Sequence, residues 1–368
     1  LTGEHIAERH LYKQRHSKAS TPHSRAFFHS TSIISLWHGG MAAPSTPTAF
    51  VSLLLLLVGT AHAQLSANFY ASSCPNLQTL VSSSMQQAFS SDQRMAASIV
   101  RLFFHDCFVN GCDGSVLLND TATFTGEQNA RPNQGSIRGM GVIDSIKANV
   151  EGSCNGTVSC ADILALAARD GVVLAGGPSW TVLLGRRDAT TASQSAANSN
   201  LPGPGSSLSA LTSSFSNQGL SQRDMVALSG AHTIGFSHCD QFVSRLYDYG
   251  GSRRPDPNID PRLLKALQMS CPRFGGNSDV VAPFDVQTPF AFDHMYYGNL
   301  EAGMGLLATD QALFLDARTR PLVQALAGDK ARFFAAFAAG MDRMGSFGIK
   351  RGRKGEVRRD CTRHVSRP

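Results

Sequence analysis

The chain has 368 residues, 42% of them hydrophobic and 16% charged, with a formal net charge of +6 and eight cysteines. That is enough apolar material for a large core, which excludes an intrinsically disordered chain, and the even cysteine count argues for an oxidising compartment. Residues 1–63 carry five basic and two acidic groups, half of the net charge, so the remainder is only mildly basic, and no nucleic-acid-binding module accompanies it.

Residues 1–40 begin with Leu and form an upstream or leader segment on which no fold argument rests. Met41 opens an expected secretory signal peptide over residues 41–63. Its apolar run from Ala49 to Val58 is too short to span a membrane, and Ala61-His-Ala63 is a small-x-small cleavage signal before Gln64. A single folded domain is then expected over residues 64–368. All eight cysteines lie within it, and two sequons, at Asn119 and Asn155, suit surface glycosylation in the same compartment.

In chain order, Asn76 is placed to cap a first helix with the apolar stripe Leu77, Leu80, Val81, Met85 and Ala88. A second helix follows, in which Met95, Ile99, Leu102 and Phe103 face a core while Arg101, Phe104 and His105 share another side. An imidazole and a guanidinium therefore point into one space beside an aromatic wall. Oxygen-bearing positions come next: Asp106, the carbonyls of Val109 and Gly111, Asp113 and Ser115, a plausible calcium loop because calcium takes six to eight oxygens. Glu127 and Asn133 sit in a turn-rich segment. Ser159 and Asp162 predict a capping box for a helix that Gly176 and Gly177 end, and residues 188–207 read as an irregular loop closing in Leu201-Pro-Gly-Pro204. Ser221 and Asp224 predict another box, opening a helix whose face Met225, Leu228, Ser229 and His232 runs at helical spacing. Thr233, Asp285, Thr288, Ala291 and Asp293 make a second oxygen-rich set. A last helix follows Asp329 with Phe333, Phe334, Phe337 and Met341 inward, and the basic residues between 350 and 359 form either a solvated tail or a contact for acidic wall polysaccharide.

The stretch from Arg101 to Ser115 resembles the distal haem motif of the secretory plant-type (class III) haem peroxidases, and Asp224 to Gly235 resembles their proximal haem-ligand motif. The resemblance spans residues 64–361. It implies a mainly α fold with very little β, in which a distal lobe (roughly 64–200) and a proximal lobe (roughly 201–361) sandwich one haem b, stapled by four disulfides. The family pairing is Cys74 with Cys154, Cys107 with Cys112, Cys160 with Cys361 and Cys239 with Cys271. The implied activity is reduction of hydrogen peroxide to water with one-electron oxidation of phenolic and related small reductants.

By the same resemblance His105 is the distal base, Arg101 the cation beside it and Phe104 the wall. Asn133 accepts the second ring N–H of His105, because a base must present an unprotonated nitrogen. His232 is the axial iron ligand, with Asp310 accepting its N–H, and Gly230 and Ala231 leave room for a flat macrocycle. Arg94, Ser98 and Ser136 match haem-propionate positions, and Pro202 lies at the channel mouth where its carbonyl can receive a phenolic hydroxyl. Two calcium ions are implied: a distal one on Asp106, Val109, Gly111, Asp113, Ser115 and Glu127, and a proximal one on Thr233, Asp285, Thr288, Ala291 and Asp293. Phe104 and Phe284, which are Trp in some intracellular relatives, favour the secretory branch. Asp240 and Gln241 depart from a cation and an aromatic found at the rim of some relatives. A secreted monomer of the cell wall, without a membrane span, is the expectation. The rival readings are a non-catalytic peroxidase-like wall glycoprotein and a calcium-binding adhesion module.

Overall fold

The computed structural model describes residues 65–364 apart from Thr123, Ser278 and Arg353. The expected leader and signal peptide, residues 1–63, lie outside the described residues. Helix α1 (Leu77–Ser91) buries Leu77, Val81 and Met85, the inner part of its predicted stripe. Asn76 does not cap it with its side chain; the Asn76 amide oxygen instead lies 3.7 and 3.6 Å from the sulfurs of Cys74 and Cys154. Helix α2 (Met95–Asn110) carries the distal motif. Its Ile99, Leu102 and Phe103 enter the core, and Gly111, at φ 102°, ends it in a conformation that suits glycine.

Helices α3 (Met140–Ser153) and α4 (Cys160–Leu174) complete a first layer, in which α1 packs on α3 and α4, and α2 on α4. α4 is apolar almost all round and is buried accordingly. Ser159 caps it by accepting from the Asp162 N–H, but the reciprocal half of the predicted box is absent. The Asp162 carboxylate turns away to accept from the Tyr70 hydroxyl, the Gly185 N–H and the Arg186 guanidinium. A buried ion pair outcompetes the cap, and Arg186 also donates to the Gly345 carbonyl, joining α4 to the end of the last helix.

The stretch 188–207 is not wholly irregular: Ser193 caps a short helix, α5 (Gln194–Asn200), before the Pro-Gly-Pro turn. Helices α6 (Leu208–Asn217) and α7 (Gln222–Ser229) follow. The Ser221/Asp224 box of α7 forms in full, and Arg343 of α13 (Lys330–Gly345) clamps the Asp224 carboxylate from outside. α7 ends at Ser229, and His232 sits in a 3-10 turn, Gly230–Thr233, rather than on a continuing α-helix. A Cβ on Gly230 would come within 2.5 Å of Phe333 and also collide with the Tyr297 hydroxyl. The missing side chain there admits the aromatic core, not a bound ring.

The remaining α-helices among the described residues are α8 (Val243–Tyr247), α9 (Pro261–Ser270), α10 (Met295–Glu301), α11 (Ala308–Leu315) and α12 (Arg320–Ala327). The only strands among the described residues are β1 (Phe236–His238) and β2 (Val281–Pro283), paired antiparallel with Ser237 opposite Ala282. A main apolar core runs from α1 to α13, and a smaller one holds Phe242, Leu246, Leu263, Leu267 and Leu306. The fold is thus mainly helical with almost no sheet. Four disulfides join Cys74–Cys154, Cys107–Cys112, Cys160–Cys361 and Cys239–Cys271. No described helix is long and apolar enough to cross a membrane.

Candidate active site and metal centres

Two imidazoles are oriented in the same way, each through its Nδ1. His105, 6% exposed near the middle of α2, has Nδ1 at 2.5 Å from the Asn133 side-chain oxygen. The Asn133 amide cannot turn over, because its NH2 donates to the Glu127 backbone carbonyl at 2.8 Å. The oxygen therefore faces His105, Nδ1 carries the proton, and Nε2 is left as the free base. Burial, reinforced by the positive charge of Arg101, holds the His105 pKa down to about 3, so this ring is neutral at any ordinary pH. Phe104 stands edge-on to it, with ring centroids 5.6 Å apart, and packs tilted against Phe108 at 4.2 Å.

Arg101 is folded onto the same turn as Asn133. It donates to the carbonyls of Ser136 and Pro132 at 2.9 Å and to the Ser136 hydroxyl at 3.0 Å, which leaves two of its five N–H donors uncommitted. Burial lowers its pKa to about 10, which still leaves it charged at neutral pH. Ser136 is thus a partner of Arg101. Ser98 donates to the Arg94 carbonyl at the start of α2, the Arg94 guanidinium lies over the Phe236 ring at 5.0 Å, and Ser136 is held apart from these two by Arg101.

His232 is 35% exposed, with Nδ1 at 2.8 Å from the Asp310 carboxylate. Asp310, at the start of α11, also accepts from the Tyr296 hydroxyl and the Leu307 N–H, both at 3.0 Å. That threefold hold fixes the ring and keeps its Nε2 available as a metal ligand. Phe284 lies flat against the imidazole, 4.1 Å away and 4° from parallel. Tyr296, whose hydroxyl is kept protonated by burial and by Asp310, was not singled out from sequence; one of two adjacent tyrosines in a short helix gives no sign of its partner.

The oxygen-rich sets form two clusters. In the distal one Asp106, Asp113, Ser115 and Glu127 are fully buried. Asp106 accepts the Gly114 and Val116 N–H groups, and Asp113 accepts that of Ser115. Burial, with Asp113 nearby, pushes Asp106 well above the carboxylate range, and burial pushes Glu127 up to about 7. The Ser115 hydroxyl oxygen and one Glu127 carboxylate oxygen are buried without a hydrogen-bond partner. Orphaned hard oxygens among crowded acids are the donor set a divalent cation satisfies, so the residues present fit calcium. The Val109 carbonyl accepts from Asn200, and Gly111 packs against the Gly348 backbone.

In the proximal cluster the Thr233 and Thr288 hydroxyls lie 3.2–3.4 Å from the Asp285 and Asp293 carboxylates, and Asn299 donates to Asp285 at 2.8 Å. Ala291 belongs to the same loop, its N–H on the Thr288 carbonyl. Pro202 is half-buried in a turn anchored on both sides. Asn200 reaches the Val109 carbonyl at the end of α2, and the Pro204 carbonyl accepts the Thr309 N–H beside Asp310. Asn119 and Asn155 are exposed.

The basic C-terminal segment is neither wholly solvated nor simply a surface patch. Arg358 is completely buried and donates to the Gly114 and Cys361 carbonyls, while the Lys350 ammonium pairs with Asp113. Sequence reasoning passed over both, since a run of cations gives no hint of which ones turn inward.

The peroxidase family model matches residues 81–329. The chain is similar to Peroxidase P7 of Brassica rapa subsp. rapa, 54% identical over 299 residues that cover 81% of this chain and 99% of that one. It is also similar to Peroxidase 4 of Vitis vinifera, 52% identical over 324 residues (87% and 99%), and to Peroxidase C2 of Armoracia rusticana, 48% identical over 320 residues (86% and 92%).

Proposed function

Given that this chain belongs to the plant class III peroxidase family and is a peroxidase, we propose that His105, Arg101, Asn133, His232 and Asp310 carry its turnover of hydrogen peroxide around one haem b. The observation that carries this reading is the pair of imidazoles, each locked through Nδ1 by a fixed acceptor and each left with Nε2 free. One belongs to a neutral base and the other to a metal ligand. Haem, when bound, supplies the two-electron reduction of peroxide and the one-electron oxidation of donors.

The protein's own part follows from the geometry. Nε2 of His105 takes a proton from one peroxide oxygen and returns it to the other as water departs, acting as base and then acid. Asn133 keeps the proton on Nδ1 throughout, so the ring cannot present its wrong tautomer. The free N–H groups of Arg101 stabilise charge on the departing oxygen, a role worth about 2.7 to 4 kcal/mol per donor. His232 would hold the iron, and the Asp310 carboxylate makes that imidazole more electron-donating. Arg94, Ser98 and Ser136 remain the candidates for the propionates. Phenolic reductants would approach the turn at Pro202, whose carbonyl is the proposed acceptor.

Calcium would occupy the distal cluster at the end of α2 and the proximal cluster beside His232, fixing each imidazole's helix or turn from its far side. Secretion as a monomer to the wall, glycans on Asn119 and Asn155, and two lobes meeting near residue 200 complete the reading; four disulfides suit an oxidising compartment. Contact with acidic polysaccharide falls to the exposed part of the C-terminal cations. The test is a pyridine haemochrome assay with Soret absorbance, followed by guaiacol turnover with peroxide. A colourless, inert protein that still bound wall polysaccharide would favour the non-catalytic glycoprotein.

A further inference from the structure

Lys350 lies 237 residues from Asp113 in sequence, yet its ammonium meets the one Asp113 carboxylate oxygen that the Ser115 N–H does not hold. Asp113 is fully buried, and the Lys350 side chain is 31% exposed, so the cation reaches in from the surface along its aliphatic stem. Its backbone is fixed there by the Arg187 N–H, which donates to the Lys350 carbonyl at 3.0 Å. Neighbouring contacts hold the same tail on the same loop: the Phe347 carbonyl accepts the Cys112 N–H, and Gly348 packs against Gly111. Asp106 and Glu127 share the cage, with the orphaned oxygens of Ser115 and Glu127. The proximal carboxylates, by contrast, meet hydroxyl and amide partners.

We propose that Lys350 is a tethered counter-ion of the distal cage, which neutralises Asp113 and competes with calcium for it. A cation fixed by the fold has a high local concentration, and calcium must displace it or share its carboxylate. The distal site therefore binds calcium more weakly than its oxygen set alone would allow, and the loop after α2 keeps its shape when calcium is removed. The inference rests on the calcium reading above.

The test uses the secreted holoenzyme and Lys350→Met, which keeps the stem and removes the charge. Lys350→Gln serves as a second neutral variant should Met fail to fold, and Lys350→Arg as the charge-retaining control. Calcium itself is the probe, added to chelator-stripped protein and followed by calorimetry and metal analysis. The neutral variants should bind one of two calcium ions roughly tenfold more tightly or better, with the other unchanged, and Lys350→Arg should follow the wild type. In excess chelator the neutral variants should melt several degrees below the wild type, a gap that calcium closes. Equal calcium affinity in wild type and neutral variants, or equal melting in chelator, overturns the proposal. Uptake of no second calcium by any of the proteins would sink the calcium reading and the competition with it, a result distinct from a second calcium bound equally by all.

Discussion

His105, the proposed base, illustrates how much of such a residue's character lies in its neighbours' backbone. The side-chain oxygen of Asn133 faces it because the Glu127 carbonyl claims the amide NH2, so Asn133→Val should leave the protein folded while slowing the reaction with peroxide about 10- to 100-fold. Stopped-flow absorbance reads this directly. His105→Leu removes the base itself and should cost orders of magnitude more, with the haem spectrum retained. The pH dependence has a definite sign. Because burial and Arg101 hold His105 near pKa 3, below the ordinary imidazole value, the base form persists as pH falls from neutral and is lost only on approaching pH 3. The second-order rate with peroxide should be flat from pH 7 to about pH 4; a decline centred near pH 6.5 would contradict the assignment. Arg, Phe and His at helical spacing could be read from sequence as sharing a face. The hold of Ser136 on Arg101 could not, since 35 residues separate them.

Among the elements, α7 and its 3-10 turn show where spacing arguments stop. The Ser221/Asp224 box was legible because both partners lie within one turn. The end of the helix at Ser229 was not, because it depends on Tyr297 and Phe333 filling the space beside Gly230. Gly230→Ala is accordingly expected to destabilise by about 1–3 kcal/mol through overpacking, measured by chaotrope unfolding, and to broaden the environment of His232. Asn76 and Asp162 make the same point for caps. Each is a good capping residue by type, and each has its side chain turned to a partner remote in sequence: the Cys154 sulfur for Asn76, Arg186 for Asp162. The short helix α5 was hidden in Ser, Ala and Asn, which favour turns and caps as readily as a helix.

For the molecule as a whole, the decisive connections run between the segment 345–361 and the loop after α2. Arg358, Lys350, the Phe347 carbonyl and the Gly348 backbone all contact residues 111–114, and the Cys160–Cys361 disulfide closes a separation of 201 residues. Removing that bond with Cys160→Ser and Cys361→Ser should cost about 2–5 kcal/mol in thermal or chaotrope unfolding, and should loosen calcium retention at the distal cluster more than at the proximal one. The buried stripes and the cysteine count were readable from periodicity and composition, and the mainly helical class from the resemblance carried by the two histidine motifs. The inward turn of selected cations was not, because charge pattern alone cannot tell a solvated Lys from one folded against an acid.

This clasp also sets an order of events in biogenesis. The growing chain exposes the α2 loop long before residues 345–361 leave the ribosome, since synthesis is sequential and segments fold as they emerge. The loop must therefore wait, open and acidic, until translation is almost finished, and a polypeptide released before Phe347 would lack every one of these contacts.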